Sequence, residues 1–286
     1  MKLLRYGAPG RERPAMMDAQ GRLRDVSAYL KDLAGDALSP QSLARLARLD
    51  AETLPVLEGK PRLGPCIGAV GKMVCVGLNY SDHAAESNMP VPSEPVLFFK
   101  ATSAIVGPDD DVEIPPGAAK VDWEVELGVV IGKTARYVSK AEALEHVAGY
   151  CIVNDVSERA YQLERGGQWD KGKGCDTFGP LGPWLVTRDE VPDAQALDLW
   201  LEVDGKRYQN GNTRTMIFDV PTLVSYISQF MSLQPGDVIS TGTPPGVGFG
   251  QRPPVYLKAG QVMRLGIAGL GEQRQRTVPA SVGDAR

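Results

Sequence analysis

The sequence predicts an α+β fold that is mainly β, and three observations carry that expectation. Glycine and proline supply 32 and 22 of the 286 residues, which favours short strands and turns over a helical bundle. Strand-forming runs outnumber helical ones and do not alternate with them regularly, which argues against a Rossmann fold or a TIM barrel. A hydrophobic content of 43% against 23% charged residues is that of a globular chain and excludes wholesale disorder.

Taken in order, residues 1–6, 14–18 and 21–26 read as short strands and residues 40–49 as a small helix. The run Gly59-Lys-Pro-Arg-Leu-Gly-Pro65 reads as a linker, so 1–65 is expected to be a small N-terminal domain and 66–286 a larger one. Beyond the linker, strands are expected at 73–78, 96–99, 124–131, 149–155, 183–186, 197–203, 237–241 and 262–267. Asp204-Gly205 marks a hairpin turn, because both central positions need φ > 0. Ser139-Lys-Ala-Glu142 is a capping box that opens a helix over 139–147. A second helix is expected over 221–231, where Leu223, Ile227 and Phe230 recur at helical spacing.

Composition and absent motifs remove several classes of function. With 31 basic and 35 acidic residues the net charge is −4 and no basic stripe is visible, which argues against a nucleic-acid partner. The chain opens without a long apolar run and no stretch approaches ~18 apolar residues, so a soluble, cytoplasmic protein without membrane contact is expected. Cys66, Cys75, Cys151 and Cys175 are widely spaced without C-x-x-C and read as reduced structural thiols. His83 and His146 are the two histidines and neither lies in H-E-x-x-H, which leaves too few ligands for a Cys/His zinc site. His146 falls inside the expected 139–147 helix and reads as structural. G-x-S-x-G, the Walker A loop and G-x-G-x-x-G are absent, and Gly246-Val-Gly-Phe-Gly250 has the wrong spacing for a nucleotide loop. Carboxylates remain as the chemistry to consider.

The sharpest feature is Trp123-Glu124-Val125-Glu126-Leu127 followed by Gly-Val-Val-Ile131. On a strand, Glu124 and Glu126 share one face with Cβ atoms roughly 6–7 Å apart, while Val125 and Leu127 pack on the other. Two unpaired carboxylates at the buried end of a strand repel and resist desolvation, and a divalent cation resolves both problems. The same pattern also fits an edge strand with both glutamates in water. Asp155 ends the buried run Gly149-Tyr-Cys-Ile-Val-Asn-Asp155 and reads as a third acid or as a turn cap. Two glutamates and an aspartate form an all-oxygen set suited to Mg²⁺ or Mn²⁺. Three protein ligands on an octahedral ion leave room for water and substrate, which is a catalytic arrangement. His83 and Glu86 are three residues apart, so on one helical turn the carboxylate orients the imidazole as a base. A surface histidine with a solvated neighbour fits them equally.

Six motifs in order now identify a resemblance. They are Gly77-Leu-Asn-Tyr-x-x-His83-x-x-Glu86, Ser93-Glu-Pro-Val-Leu-Phe-Phe-Lys100, Trp123-Glu-Val-Glu-Leu-Gly128, Asn154-Asp-Val-Ser-Glu-Arg159, Lys171-Gly-Lys173-x-x-Asp-Thr-Phe-Gly-Pro-x-Gly-Pro183 and Ser240-Thr-Gly-Thr-Pro-x-Gly-Val-Gly248. Together they resemble the fumarylacetoacetate hydrolase superfamily over residues 70–272. The resemblance implies a mixed β-roll catalytic domain over 66–286, a small N-terminal α/β domain over 1–65, a homodimer and a Mg²⁺ or Mn²⁺ ion. By position, it implies Glu124, Glu126 and Asp155 as metal ligands and His83 with Glu86 as the pair that activates water. Lys173 corresponds to a lysine near the substrate's enolate oxygen. Arg159, Gln162 and Thr243 correspond to substrate contacts, and Lys100 falls in a shared motif as a further candidate contact.

Cys75-Val-Gly-Leu-Asn79 lacks the upstream acidic ligand of fumarylacetoacetase proper, which favours the acylpyruvase-like branch. Within that branch the opening Met1-Lys-Leu-Leu-Arg-Tyr-Gly7 and the 171–180 segment look most like 2,4-diketo-3-deoxy-L-rhamnonate or fuconate hydrolases. That likeness implies cleavage of the C3–C4 bond of a small 2,4-diketo acid to pyruvate and L-lactate. Alternatives are oxaloacetate decarboxylation, isomerisation of a 2-oxo-diene dioate, a ureidoglycolate lyase-type activity, and a non-catalytic protein holding a structural ion.

Overall fold

The computed structural model describes residues 1–82 and 91–281. Strands β1 (Lys2–Tyr6), β2 (Arg13–Met17) and β3 (Leu23–Asp25) open the chain, followed by helix α1 (Pro40–Leu46). β4 (Met73–Gly77), β5 (Val96–Lys100), β6 (Ile105–Val106), β7 (Val112–Ile114) and β8 (Val121–Asp122) lead to two long central strands, β9 (Val125–Ile131) and β10 (Val147–Asn154). β11 (Ser157–Glu158) runs into two short helices, α2 (Arg159–Leu163) and α3 (Asp170–Lys173). The remainder is β12 (Gly179–Thr187), β13 (Asp198–Val203), β14 (Lys206–Asn212), α4 (Val220–Ile227), β15 (Val238–Ser240), β16 (Val262–Ile267) and β17 (Gly271–Pro279).

The architecture is α+β and mainly β. A ten-stranded sheet runs β3-β2-β1-β12-β10-β9-β15-β4-β5, with β6 also paired to β12. A five-stranded sheet runs β14-β13-β16-β17-β7, and β11 pairs with β8. β1 joins the large sheet by antiparallel pairing with β12, placing Leu3 opposite Leu185. β9 is buried along its whole length and feeds both faces of that sheet. Val125, Leu127, Val129 and Ile131 enter the core shared with Leu199, Leu201, Met263 and Leu265 of the five-stranded sheet. Val130 enters the second core with Leu3, Val26, Leu33 and Leu38 from the N-terminal segment. This alternation puts Glu126 on the face opposite Val125 and Leu127. No helix among the described residues is long and apolar enough to cross a membrane.

Several expected elements change length or type. Only half of the expected capping box forms, with Glu142 Oε2 accepting from Ser139 N at 3.4 Å and from Ser139 Oγ at 2.7 Å, and the helix expected over 139–147 does not form. The segment closes as a 3₁₀ turn over Ala143–His146, because Val147 and Gly149 are drawn into β10. The 221–231 helix is α4, capped by Asp219 Oδ1 on Thr222 N at 2.9 Å and ending at Ile227. Phe230 therefore lies outside the helix and is 62% exposed. The Asp204-Gly205 turn has φ of 49° and 78°, as a tight hairpin between β13 and β14 requires. β17 escapes hydrophobic periodicity because its inward residues are Gln273, Gln275 and Thr277, all buried.

The helices that carry Arg159 and Lys173 meet at Gly172. A Cβ there would stand 2.4 Å from Glu158 O and 2.6 Å from Gln162 N, so only glycine lets α3 lie against α2. Gly172→Ala must push these backbone segments away from each other and is expected to destabilise the fold by about 1–3 kcal/mol. The check is the urea midpoint of unfolding. An unchanged midpoint would show that the two helices separate freely.

Candidate active site

The site is built where the regular ladder around β9 gives out. Glu124 precedes the strand, and its backbone N donates to the Asn154 side chain at 3.2 Å instead of to a neighbouring carbonyl. Val125 N donates to Gln209 Oε1 at 2.9 Å, and Val125 O accepts from Thr243 Oγ1 at 2.9 Å. Gln209 Nε2 in turn donates to Thr243 Oγ1 at 2.8 Å. Three buried side chains thus hold this backbone, and Glu124 and Glu126 project to one side.

Glu124, Glu126 and Asp155 come together there, each offering a carboxylate oxygen within 4.8 Å of the others. Lys173 Nζ sits between two of them, 2.6 Å from Glu124 Oε2 and 2.8 Å from Asp155 Oδ2. The other oxygen of Glu124 accepts from Arg159 Nη2 at 2.6 Å, and the other oxygen of Asp155 accepts from Lys100 Nζ at 2.5 Å. Arg159 Nε also reaches Asp122 Oδ2 at 2.8 Å, and its Nη1 donates to Gln162 Oε1 at 3.0 Å. Glu126 differs from the other acids. Its Oε2 accepts from Ser240 Oγ at 2.6 Å and Gly242 N at 2.9 Å, and no cation of the described residues pairs with it.

The electrostatics follow from those contacts. Burial opposes ionisation of Glu124, but Lys173 and Arg159 outweigh it and hold the carboxyl down at about 2. Burial, then the charges of Asp155 and Glu124, push Glu126 well above the ordinary carboxylate range. Burial also works against the Lys173 ammonium, yet Asp155 and Glu124 override it and raise its pKa. With every group ionised, Lys100, Lys173 and Arg159 face Asp122, Glu124, Glu126 and Asp155, and the buried cluster is one positive charge short of neutral. A hard divalent cation fits this set: the donors are all carboxylate oxygens, and Glu126 is a buried acid lacking a counter-charge.

The cluster floors a cavity of about 480 Å³. Glu124, Glu126, Arg159, Gln162, Lys173 and Thr243 line it, whereas Asp155 and Lys100 stand behind, fully enclosed. Lys100 thus reaches Asp155 and the Val156 carbonyl, at 2.9 Å from the latter, and not the cavity. His83 and Glu86 lie outside the described residues. A cleft of about 550 Å³ beside α1 is lined by Glu145, Asp189 and Lys133 without a converging carboxylate set. Sequence reasoning missed Asp122, Asn154 and Gln209 as parts of the site. Asp122 had a signal, since 122, 124 and 126 share the spacing that puts acids on one strand face. Gln209 had none, because only the placement of β14 brings it to Val125.

Comparison with known proteins gives a consistent picture. Residues 72–278 match the family described as fumarylacetoacetate (FAA) hydrolase C-terminal. A Burkholderia multivorans protein, provisionally named a hydrolase with no substrate stated, is 68% identical over 278 residues, covering 97% of this chain and 99% of its own. The fumarylacetoacetate hydrolase structure from Exiguobacterium antarcticum superposes with a TM-score of 0.86 at 38% identity, over 98% of this chain and 100% of that one. Maleylpyruvate hydrolase from Sphingobium sp. SYK-6, solved with manganese(II) and pyruvate, superposes with a TM-score of 0.81 at 29% identity, again over 98% and 100%.

Glu126→Gln keeps an oxygen for Ser240 and Gly242 while removing one negative charge from beside Glu124 and Asp155. The metal-free variant is expected to gain about 1 kcal/mol in denaturant unfolding, because an isosteric neutral group relieves buried like-charge repulsion. Its Mn²⁺ affinity is expected to fall more than about 100-fold by calorimetry. Binding as tight as that of the wild type would remove Glu126 from the ligand set.

Proposed function

The chain belongs to the fumarylacetoacetate hydrolase family, and on that premise we propose that it hydrolyses the C3–C4 bond of a 2,4-dioxo acid and releases pyruvate. The observation that carries this reading is the buried Glu124–Glu126–Asp155 set with Lys173 between two of its members, at the floor of a cavity. A bound Mg²⁺ or Mn²⁺ supplies Lewis acidity for the negative charge that develops on the 2-oxo acid oxygens. Lys173, kept charged by Asp155 and Glu124, provides a fixed ammonium for the same developing charge. Arg159 and Gln162 present donors and acceptors along the wall. The pyruvate held by the Sphingobium enzyme is the product expected from the same bond cleavage, which supports the reading.

In this mechanism His83, oriented by Glu86, takes a proton from water. The water oxygen bonds to C4, and the C3–C4 bond breaks. Its electron pair passes into the pyruvate enolate, and a proton returned to C3 gives pyruvate, while C4 leaves as a carboxylic acid. Among 2,4-dioxo acids, 2,4-diketo-3-deoxy-L-rhamnonate is the one to which the sequence resemblance points, with L-lactate as its second product.

Decarboxylation of oxaloacetate generates the same enolate without an attacking water, which gives a sharp test. Pyruvate release is followed with a lactate dehydrogenase couple at fixed Mn²⁺ and after chelation. Chelation is expected to abolish turnover. His83→Ala is expected to lower 2,4-dioxo acid hydrolysis by roughly 10²–10⁴ while changing oxaloacetate decarboxylation far less. Equal losses on the two substrates would remove water activation from His83.

A further inference from the structure

Arg159 and Glu124 meet end-on. A guanidinium and a carboxylate commonly pair as two forks, joined by two parallel N–H···O bonds. Here a single nitrogen meets a single oxygen. Arg159 Nη2 donates to Glu124 Oε1 at 2.6 Å, and Glu124 Oε2 is left to Lys173 Nζ at 2.6 Å. The rest of the guanidinium is engaged elsewhere. Nε donates to Asp122 Oδ2 at 2.8 Å, Nη2 also reaches that oxygen at 2.7 Å, and Nη1 donates to Gln162 Oε1 at 3.0 Å.

Asp122 is fully buried and does not line the cavity. Besides Arg159 it accepts from three backbone amides: Trp123 N and Gly248 N on Oδ1 at 2.8 and 2.6 Å, and Phe249 N on Oδ2 at 3.0 Å. These donors fill the roughly four lone-pair sites of a carboxylate and leave it no freedom to turn. The loop comes this close because residue 248 is glycine. A Cβ there would stand 2.0 Å from Val255 O and 2.7 Å from Asp122 Oδ1. The carboxylate is thus fixed to the chain just before Glu124, to the wall loop that carries Val247 and Phe249, and to the first residue of α2.

We propose that Asp122 is a positioning residue that limits Arg159 to one oxygen of Glu124 and so keeps the other oxygen of that acid within the metal-binding cluster. The proposal rests on the metal-binding reading of Glu124, Glu126 and Asp155 above. Without the Asp122 charge, Arg159 gains by turning its fork onto Glu124, since a bidentate pair adds a second charge-assisted bond. Glu124 Oε2 then leaves Lys173, and the carboxylates no longer converge within 4.8 Å. The same buried acid anchors the wall loop, so one residue sets both the orientation of a ligand carboxylate and the position of the wall above it.

The test measures Mn²⁺ binding by calorimetry on the wild type, Asp122→Asn, Arg159→Lys and the double variant. Asp122→Asn keeps the size of the side chain and removes its charge, and is expected to weaken Mn²⁺ binding by roughly 10–100-fold. Adding Arg159→Lys, whose ammonium cannot fork across two oxygens, is expected to recover part of that loss. A double variant whose loss equals the product of the two single losses would overturn the proposal, because the two residues would then act independently. A second arm is the crystal structure of metal-free Asp122→Asn, in which Arg159 is expected to span both oxygens of Glu124. Retention of the end-on contact would overturn the proposal. This arm decides the role of Asp122 even if the wild type binds no Mn²⁺, in which case the metal reading alone fails. A third arm uses the wild type and so survives a misfolded variant. The Arg159 Nε–H resonance, assigned by its loss in Arg159→Lys, is expected to exchange slowly with solvent and to stay in place as Mg²⁺ is added. Rapid exchange, or a large shift on adding Mg²⁺, would show that Asp122 does not hold the guanidinium and would overturn the proposal.

Discussion

The bridge that Lys173 makes between Glu124 and Asp155 is the interaction on which the rest of the site depends. Carboxylates gathered within 4.8 Å in a dry interior repel one another by several kcal/mol even at an effective dielectric constant near 20. The ammonium, at 2.6 and 2.8 Å, offsets the repulsion between Glu124 and Asp155 with two attractions. Lys100 and Arg159 take the outward oxygens of the same two acids, so each is gripped from both sides. Among the described residues Glu126 receives only a hydroxyl and a backbone N–H. The imbalance is therefore concentrated on one carboxylate, and the site's appetite for a cation is local, not spread over the cluster.

Holding that imbalance in place needs a stiff frame, and the frame is made of amides. Asn154, Gln209 and Thr243 replace ladder bonds around Glu124 and Val125. Asn154 Nδ2 passes the network to Gln275 Oε1 at 3.0 Å, and Gln273 Nε2 bonds the Ile152 and Gly182 carbonyls at 2.8 and 3.0 Å. Each of these side chains is buried, and each donor or acceptor left open would cost roughly 1–3 kcal/mol. A network of this kind tolerates little displacement, which keeps the carboxylates of the floor within 4.8 Å of one another.

Local pattern made some of this legible in the sequence. Alternation placed Glu124 and Glu126 on one side of a strand, and the runs that become β9 and β10 were apolar enough to read directly. The Asp204-Gly205 turn and the Leu223–Ile227 spacing of α4 were equally local. What stayed hidden was decided by partners far along the chain. Lys100 meets Asp155 because β5 lies at the edge of the sheet that also contains β10, and nothing near Lys100 says so. β17 presents glutamines to the interior, so a hydrophobic pattern cannot reveal it. Ser139 and Glu142 paired as a helix start would have them, yet the residues after them had a stronger claim elsewhere, in β10. Of the site residues, Glu124, Glu126 and Asp155 were read from strand pattern and Lys173, Arg159, Gln162 and Thr243 from the resemblance, whereas Asp122, Asn154 and Gln209, which hold Arg159 and the backbone of Glu124 and Val125, were not.

β15 bears on how the molecule is made. It lies between β9, to which it is antiparallel, and β4, to which it is parallel, and the segment that follows it supplies Gly242 N to Glu126. The centre of the large sheet thus cannot close until residues 238–240 have been synthesised, although its neighbours at 73–77 and 125–131 emerge from the ribosome long before. Until then β4 and β9 each carry an unpaired edge, the kind of surface that invites wrong pairing between chains. The carboxylates at the end of β9 lie beside that open edge. Acidic groups there would keep nascent chains apart by charge, so the carboxylates that gather around Lys173 in the folded protein would serve earlier as guards of an unfinished sheet.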